Sequence, residues 1–175
     1  MSVPENKFHR GELYNLSVRR GTLNDEERFA INDHIIQTIM MLRKLPYPKH
    51  MKRVPEIAGG HHEKMDGTGY PLGLQRGELA LDARMMAIAD IFEALTASDR
   101  PYKKAKTLSE ALKILAFMVK DSHVDPQLFK LFLRDKIYLR YAQAFLPASQ
   151  HDEVDEKRLL EFAGLAEVEP EPAIS

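Results

Sequence analysis

The chain has no cysteine, which excludes disulfides, thiolate chemistry and any zinc site built on sulfur. A metal could be held here only by His, Asp and Glu, a donor set that suits iron, manganese, zinc or similar ions. A reducing cytoplasm is the compartment expected for such a chain. No apolar run approaches the ~18 residues of a membrane span, and the polar N-terminus does not read as a signal peptide. Neither sign of charge is in excess: 25 Lys and Arg face 26 Asp and Glu, for a net charge of −1. That leaves a duplex-DNA role without an electrostatic footprint. Strand-type alternation and internal repeats are also missing. What is present is a 175-residue chain, 44% hydrophobic and 29% charged, long enough to bury a substantial core. Its periodicity is helical, so the expected fold is all-α, a helical bundle with a His-rich loop at one end.

Helix starts can be read along most of the chain. Residues 1–23 show little periodicity and read as a lead-in that looks cut rather than begun. Asn24-Asp25-Glu26-Glu27 is a capped start, and the spacing predicts a helix from Asp25 to Arg43, stopped by Pro46 and Pro48. Ile31, Ile35, Thr38 and Leu42 share one face, with His34 on it; the histidine is either a core residue or a ligand. A second helix is expected over 49–63, closed by His61 and His62. Ala80–Ser98, capped by Asp82, is apolar nearly all round, the pattern of a central buried helix. Asp90 in its middle must then be paired with an arginine or coordinated to a metal. The run Asp99-Arg100-Pro101-Tyr102-Lys103-Lys104 reads as a basic turn, either solvated surface or a phosphate contact.

Further on, Thr107 and Glu110 form a capping box for a helix to Lys120, with Leu112, Leu115, Ala116 and Val119 inward. Asp125-Pro126 opens another through Arg134. Shorter helices are expected over 138–146 and 152–162, before an acidic, proline-containing tail. The organisation expected is thus a lead-in (1–23), a helical domain (24–146), and a C-terminal helix with its tail (147–175).

The densest chemistry lies in Gly-Gly-His-His-Glu-Lys-Met-Asp-Gly-Thr-Gly-Tyr-Pro, residues 59–71. Two imidazoles and two carboxylates precede a turn that alternate glycines and a Tyr-Pro step keep out of regular structure. Histidines at a helix end can be cations favoured by the dipole, but this crowding of ligand-type groups points to an ion.

This segment resembles the signature of the HD-GYP family, bacterial metal-dependent phosphodiesterases that open cyclic di-GMP. The resemblance runs from about Asn15 to Leu133. It implies that His34, His61, His62 and Asp90 are metal ligands, with Glu63 and Asp66 as supports that fix imidazole tautomers. It implies a catalytic role for Glu93 and Asp66. Arg100, Lys103 and Tyr70 would contact the dinucleotide, and Gly69-Tyr70-Pro71 would also serve partner proteins such as a diguanylate cyclase domain. The implied cofactors are divalent metal ions, Fe, Mn or similar, binuclear or larger in the intact family. The family's His-Asp doublet, expected upstream, is absent before Asn15, and His151-Asp152 lies on the wrong side of the motif. The expectation is therefore a fragment of a phosphodiesterase. Two alternatives stand beside it: a non-catalytic cyclic-dinucleotide or protein-interaction module, and an HD-type phosphohydrolase for another cyclic dinucleotide.

Overall fold

The structure, a computed structural model, describes residues 24–97 and 105–165. Arg100 and Lys103 lie outside these residues. Those described are helical, with no strand among them; the one β-type pairing is an isolated antiparallel bridge between Asp66 and Gln75. No helix is long and apolar enough to cross a membrane among the described residues. The all-α expectation holds. The chain divides into two compact units, Met1–Ala83 and Arg84–Ser175.

In the first unit, α1 (Asp25–Leu42) opens with the expected capping box. Asn24 Oδ1 accepts from the Glu27 N–H at 2.8 Å, and the Glu27 carboxylate accepts from the Asn24 N–H at 2.9 Å. Asp25, Glu26 and Glu27 put negative charge at the positive end of the helix dipole. Its inner face is narrower than the periodicity suggests. Ile35 is buried, whereas Ile31 and His34 are exposed. The seam runs instead through Ile39, one turn after Ile35. A Cβ added to Gly59 would stand 2.8 Å from Ile39 Cδ1, so the glycine lets the two backbones approach.

The helix expected over 49–63 is broken in two. A 3₁₀ turn, Lys49–Met51, precedes α2, Val54–Gly60. Pro55 sits in the first turn of α2, where its missing N–H costs nothing. It therefore marks the start of a helix rather than a strained interior position. His61 is the residue that ends α2, and His62 follows in the turn.

The helix α3, Leu81–Thr96, is shorter than expected. Asp82 lies inside its first turn and not at its cap, and pairs with Arg53 at 3.1 Å. The helix is also not buried all round. Ala83, Ala87, Ile88 and Phe92 face inward, but Met85, Met86, Asp90 and Glu93 are exposed. The burial expected of Asp90 is thus absent, and its exposure removes the argument that it must be paired or coordinated.

The second unit adds α4 (Leu108–Lys120), α5 (Pro126–Arg134), α6 (Ile137–Phe145) and α7 (Glu156–Phe162). Ile88, Phe92, Leu112, Leu115, Phe129 and Leu133 form its apolar centre, each worth about 1.5–3 kcal/mol when fully buried. Asp125 caps α5 by accepting from Gln127 N–H at 2.9 Å, and its buried carboxylate pairs with Arg84. Gln150 is buried and donates from Nε2 to Thr96 O (2.9 Å) and Lys106 O (2.8 Å). It therefore clasps the end of α3 to the approach of α4.

The last helix starts later than expected, at Glu156 with Asp155 as its cap. The reason is that Asp152 is engaged elsewhere. Its carboxylate accepts from the Ser109 N–H (2.9 Å), the Thr107 hydroxyl (2.7 Å) and the Ser109 hydroxyl. His151 in turn bonds Ala142 O through Nε2 at 3.1 Å. The His151-Asp152 doublet is a clasp between helices and has no ligand-like arrangement.

Candidate metal centre

Three histidines meet in the first unit. The His61 and His62 rings lie 4.1 Å apart at 40°, and the edge of His34 meets the His62 ring at 5.3 Å and 84°. Ligand atoms of His61 and His62 come within 4.8 Å of one another. Being adjacent in sequence, they would diverge by ~100° on a helix. Because α2 ends at Gly60, the backbone past it turns and brings both rings to one place.

Hydrogen bonds fix which nitrogen two of the three rings offer. His61 Nδ1 lies 2.8 Å from Ala58 O, and His34 Nδ1 contacts Ile31 O. A carbonyl oxygen only accepts, so in each neutral ring Nδ1 carries the proton and Nε2 keeps the lone pair. This is the tautomer a metal-ligating histidine uses when a carbonyl holds its other nitrogen. Each ring is oriented by its own helix, three residues back.

Glu63 has a role that its place beside the histidines did not suggest: its carboxylate holds the loop that follows. It is 1% exposed and accepts three backbone N–H groups: Leu72 at 2.7 Å and Gly73 at 3.1 Å on Oε1, Leu74 at 3.0 Å on Oε2. The loop is folded back around this residue. The Tyr70 N–H reaches His62 O at 3.3 Å, and a Cβ on Gly69 would stand 2.4–2.6 Å from the backbone of Glu63 and Lys64. Only glycine fits there. Gly67 and Gly73 supply left-handed turns at φ +79° and +72°, and the Tyr70–Pro71 peptide is cis.

The fold-back lays the Tyr70 ring against His62, 5.0 Å between centroids and 16° from parallel. Asp66 accepts from the Thr68 N–H (2.9 Å) and hydroxyl (2.8 Å), which hold its carboxyl below the usual range. It is an ionised turn brace at neutral pH. Sequence reasoning saw the His pair and the rigid turn, but not that Glu63 is the peg; its partners are nine to eleven residues away.

Asp90 and Glu93 lie one turn apart on the exposed side of α3, in the second unit. A cleft of about 270 Å³ in the first unit, lined by Arg43, Lys52, Leu72 and Leu79 among others, does not include the imidazoles.

Comparison with known proteins gives a consistent picture. The family described as HD domain matches residues 1–128. A cyclic di-GMP phosphodiesterase of Pseudomonas aeruginosa is 44% identical over 114 residues, 65% of this chain and 26% of that protein. A 3′3′-cGAMP-specific phosphodiesterase of Vibrio cholerae is 37% identical over 115 residues, covering 66% and 26%. A probable cyclic di-GMP phosphodiesterase from the same organism is 34% identical over 137 residues, covering 75% and 31%. The chain spans about a quarter to a third of the length of these relatives.

Proposed function

The chain belongs to the HD domain family, and from that premise we propose that it carries a metal-dependent phosphodiesterase site for a cyclic dinucleotide. Cyclic di-GMP is the first substrate to test; the similar 3′3′-cGAMP phosphodiesterase makes the mixed dinucleotide the second. The observation that carries the proposal is the imidazole cluster. His34, His61 and His62 converge, and two of them have Nδ1 held by a backbone carbonyl. That donor set fits a divalent ion of the iron, manganese or zinc type.

His34, His61 and His62 would hold the metal, with Asp90 as the carboxylate that the sequence resemblance adds. When bound, the metal makes water acidic enough to attack at neutral pH and neutralises charge on the phosphoryl oxygens. The chain's own groups do the rest. His61 and His34 keep their lone pairs aimed by carbonyl contacts, so no reorientation is needed when ligand arrives. Asp66, held ionised by Thr68, is in the form that can accept a proton, and Glu93 is the second carboxylate that the resemblance offers for proton transfer. Arg100 and Lys103 are assigned to the substrate phosphates by sequence match, and Tyr70 to the dinucleotide. The Gly69-Tyr70-Pro71 surface would serve a partner such as a diguanylate cyclase domain.

The test is hydrolysis of cyclic di-GMP by the full chain with Mn²⁺ or Fe²⁺, following linear pGpG by chromatography. Turnover in wild type that is lost in His61→Ala and Asp90→Ala, together with their metal, supports the reading. Dinucleotide binding without turnover would replace it with that of a binding module. Equal metal content in wild type and the double alanine variant would sink the ligand assignment.

A further inference from the structure

His61 and His34 each have Nδ1 at a carbonyl of their own helix; at His62 the contacts that bear on the plane of the ring are those of its neighbours. That ring is packed between other rings: His61 at 4.1 Å, the edge of His34 at 5.3 Å, and Tyr70 lying nearly parallel at 5.0 Å and 16°. Tyr70 is brought there by the fold-back of the loop. That fold-back depends on the buried Glu63 carboxylate gathering the N–H groups of Leu72, Gly73 and Leu74, and on Gly69 lying against the Glu63 backbone.

We infer that Glu63 and Tyr70 form one positioning device: Glu63 pins the loop, the loop presents Tyr70, and the Tyr70 ring sets the plane of the His62 imidazole for metal binding. Both are positioning residues acting through His62. This rests on the proposed metal-dependent function and adds residues to it. It also changes the part played by Tyr70. One face of its ring is occupied by His62, so its contribution to a bound dinucleotide comes from its hydroxyl or its other face, while its contribution to the metal comes from the stack.

The two contributions separate experimentally. Tyr70→Leu removes the flat face; Tyr70→Phe keeps it and removes only the hydroxyl. Loss of groups that orient a metal ligand typically weakens binding about 10–100-fold. Co²⁺ is the probe, titrated into the full chain and followed by its visible absorption, which reports both affinity and ligand geometry. The expected result is a Co²⁺ affinity weakened about 10–100-fold in Tyr70→Leu with an altered band shape. Tyr70→Phe should restore both, and Glu63→Gln should shift them the same way as Tyr70→Leu. Circular dichroism shows whether each variant is folded. If Tyr70→Leu is not, Tyr70→Met, closer in volume, carries the same comparison.

Wild-type affinity and band shape in a folded Tyr70→Leu or Tyr70→Met would overturn the device while leaving the metal site standing. Equal loss in Tyr70→Phe and Tyr70→Leu would also overturn it, since the hydroxyl and not the stack would then be responsible. A wild-type chain that takes up no Co²⁺ would remove the metal-site reading, and this inference with it.

Discussion

Glu63→Gln is the substitution whose stability cost follows most directly from the structure. The carboxylate is buried and its two oxygens receive three N–H groups, two on Oε1 and one on Oε2. Glutamine keeps the shape. Its one carbonyl oxygen can take the place of Oε1 and serve Leu72 and Gly73, but its amide then points two hydrogens at the Leu74 N–H. One bond to a charged acceptor is lost, worth about 1.5–3 kcal/mol, and the two remaining become neutral and weaker. The total is about 2–4 kcal/mol. Glu63→Ala would strand all three donors and cost more, about 3–5 kcal/mol, with the exposed Leu72 end partly recovered by water. Urea unfolding followed by circular dichroism reads both values, provided the denaturant slope is unchanged. A Glu63→Gln chain within 0.5 kcal/mol of wild type would refute the view that this carboxylate organises the loop.

Other consequences follow from the same contacts. Gly69→Ala would push a methyl to within 2.4–2.6 Å of the Glu63 and Lys64 backbone, so the loop must move; thermal unfolding should show a large loss of stability, and the His62–Tyr70 stack should go with it. Leu115→Ala, at a site with no exposure, should cost about 2–5 kcal/mol in urea. For Asp152, burial raises its carboxyl pKa, but hydrogen bonds from the Ser109 side chain and N–H and from Thr107 outweigh this and hold it below 3.8. A depressed folded value means stability that is present above the unfolded value and lost as pH falls through the folded one. Asp152→Asn should thus cost about 1 kcal/mol at pH 7, the usual net worth of a hydrogen bond, and the gap to wild type should close as pH falls through the depressed folded value. A gap independent of pH would contradict that assignment.

The parts of the fold legible in the sequence are those written in short-range chemistry. Asn24 with Glu27, Thr107 with Glu110, and Asp125 with Pro126 each announce a helix start because cap and partner lie within four residues. The His61-His62 pair and its glycine-rich turn were legible for the same reason. What was missed depends on distant neighbours. Periodicity marks Ile31, Ile35 and Leu42 as one face, yet only packing decides that the seam passes through Ile35 and Ile39. An alanine-rich, methionine-rich helix reads as buried, though α3 exposes Met85, Met86 and Asp90. Asp152 looked like part of a helix because its bonds to Thr107 and Ser109 span more than forty residues. Glu63 reads as a partner for histidine because it stands next to two of them; its bonds to Leu72, Gly73 and Leu74 lie nine to eleven residues away and could not be read there.

The central claim is that the histidine cluster holds metal for phosphodiester hydrolysis. The most direct measurement is metal per chain, by elemental analysis after oxygen-free purification, on wild type and on His61→Ala with its fold checked by circular dichroism. The account predicts at least one divalent ion per wild-type chain and little or none in the folded variant. Equal metal in the two, or none in either after reconstitution with Fe²⁺ or Mn²⁺, would contradict it.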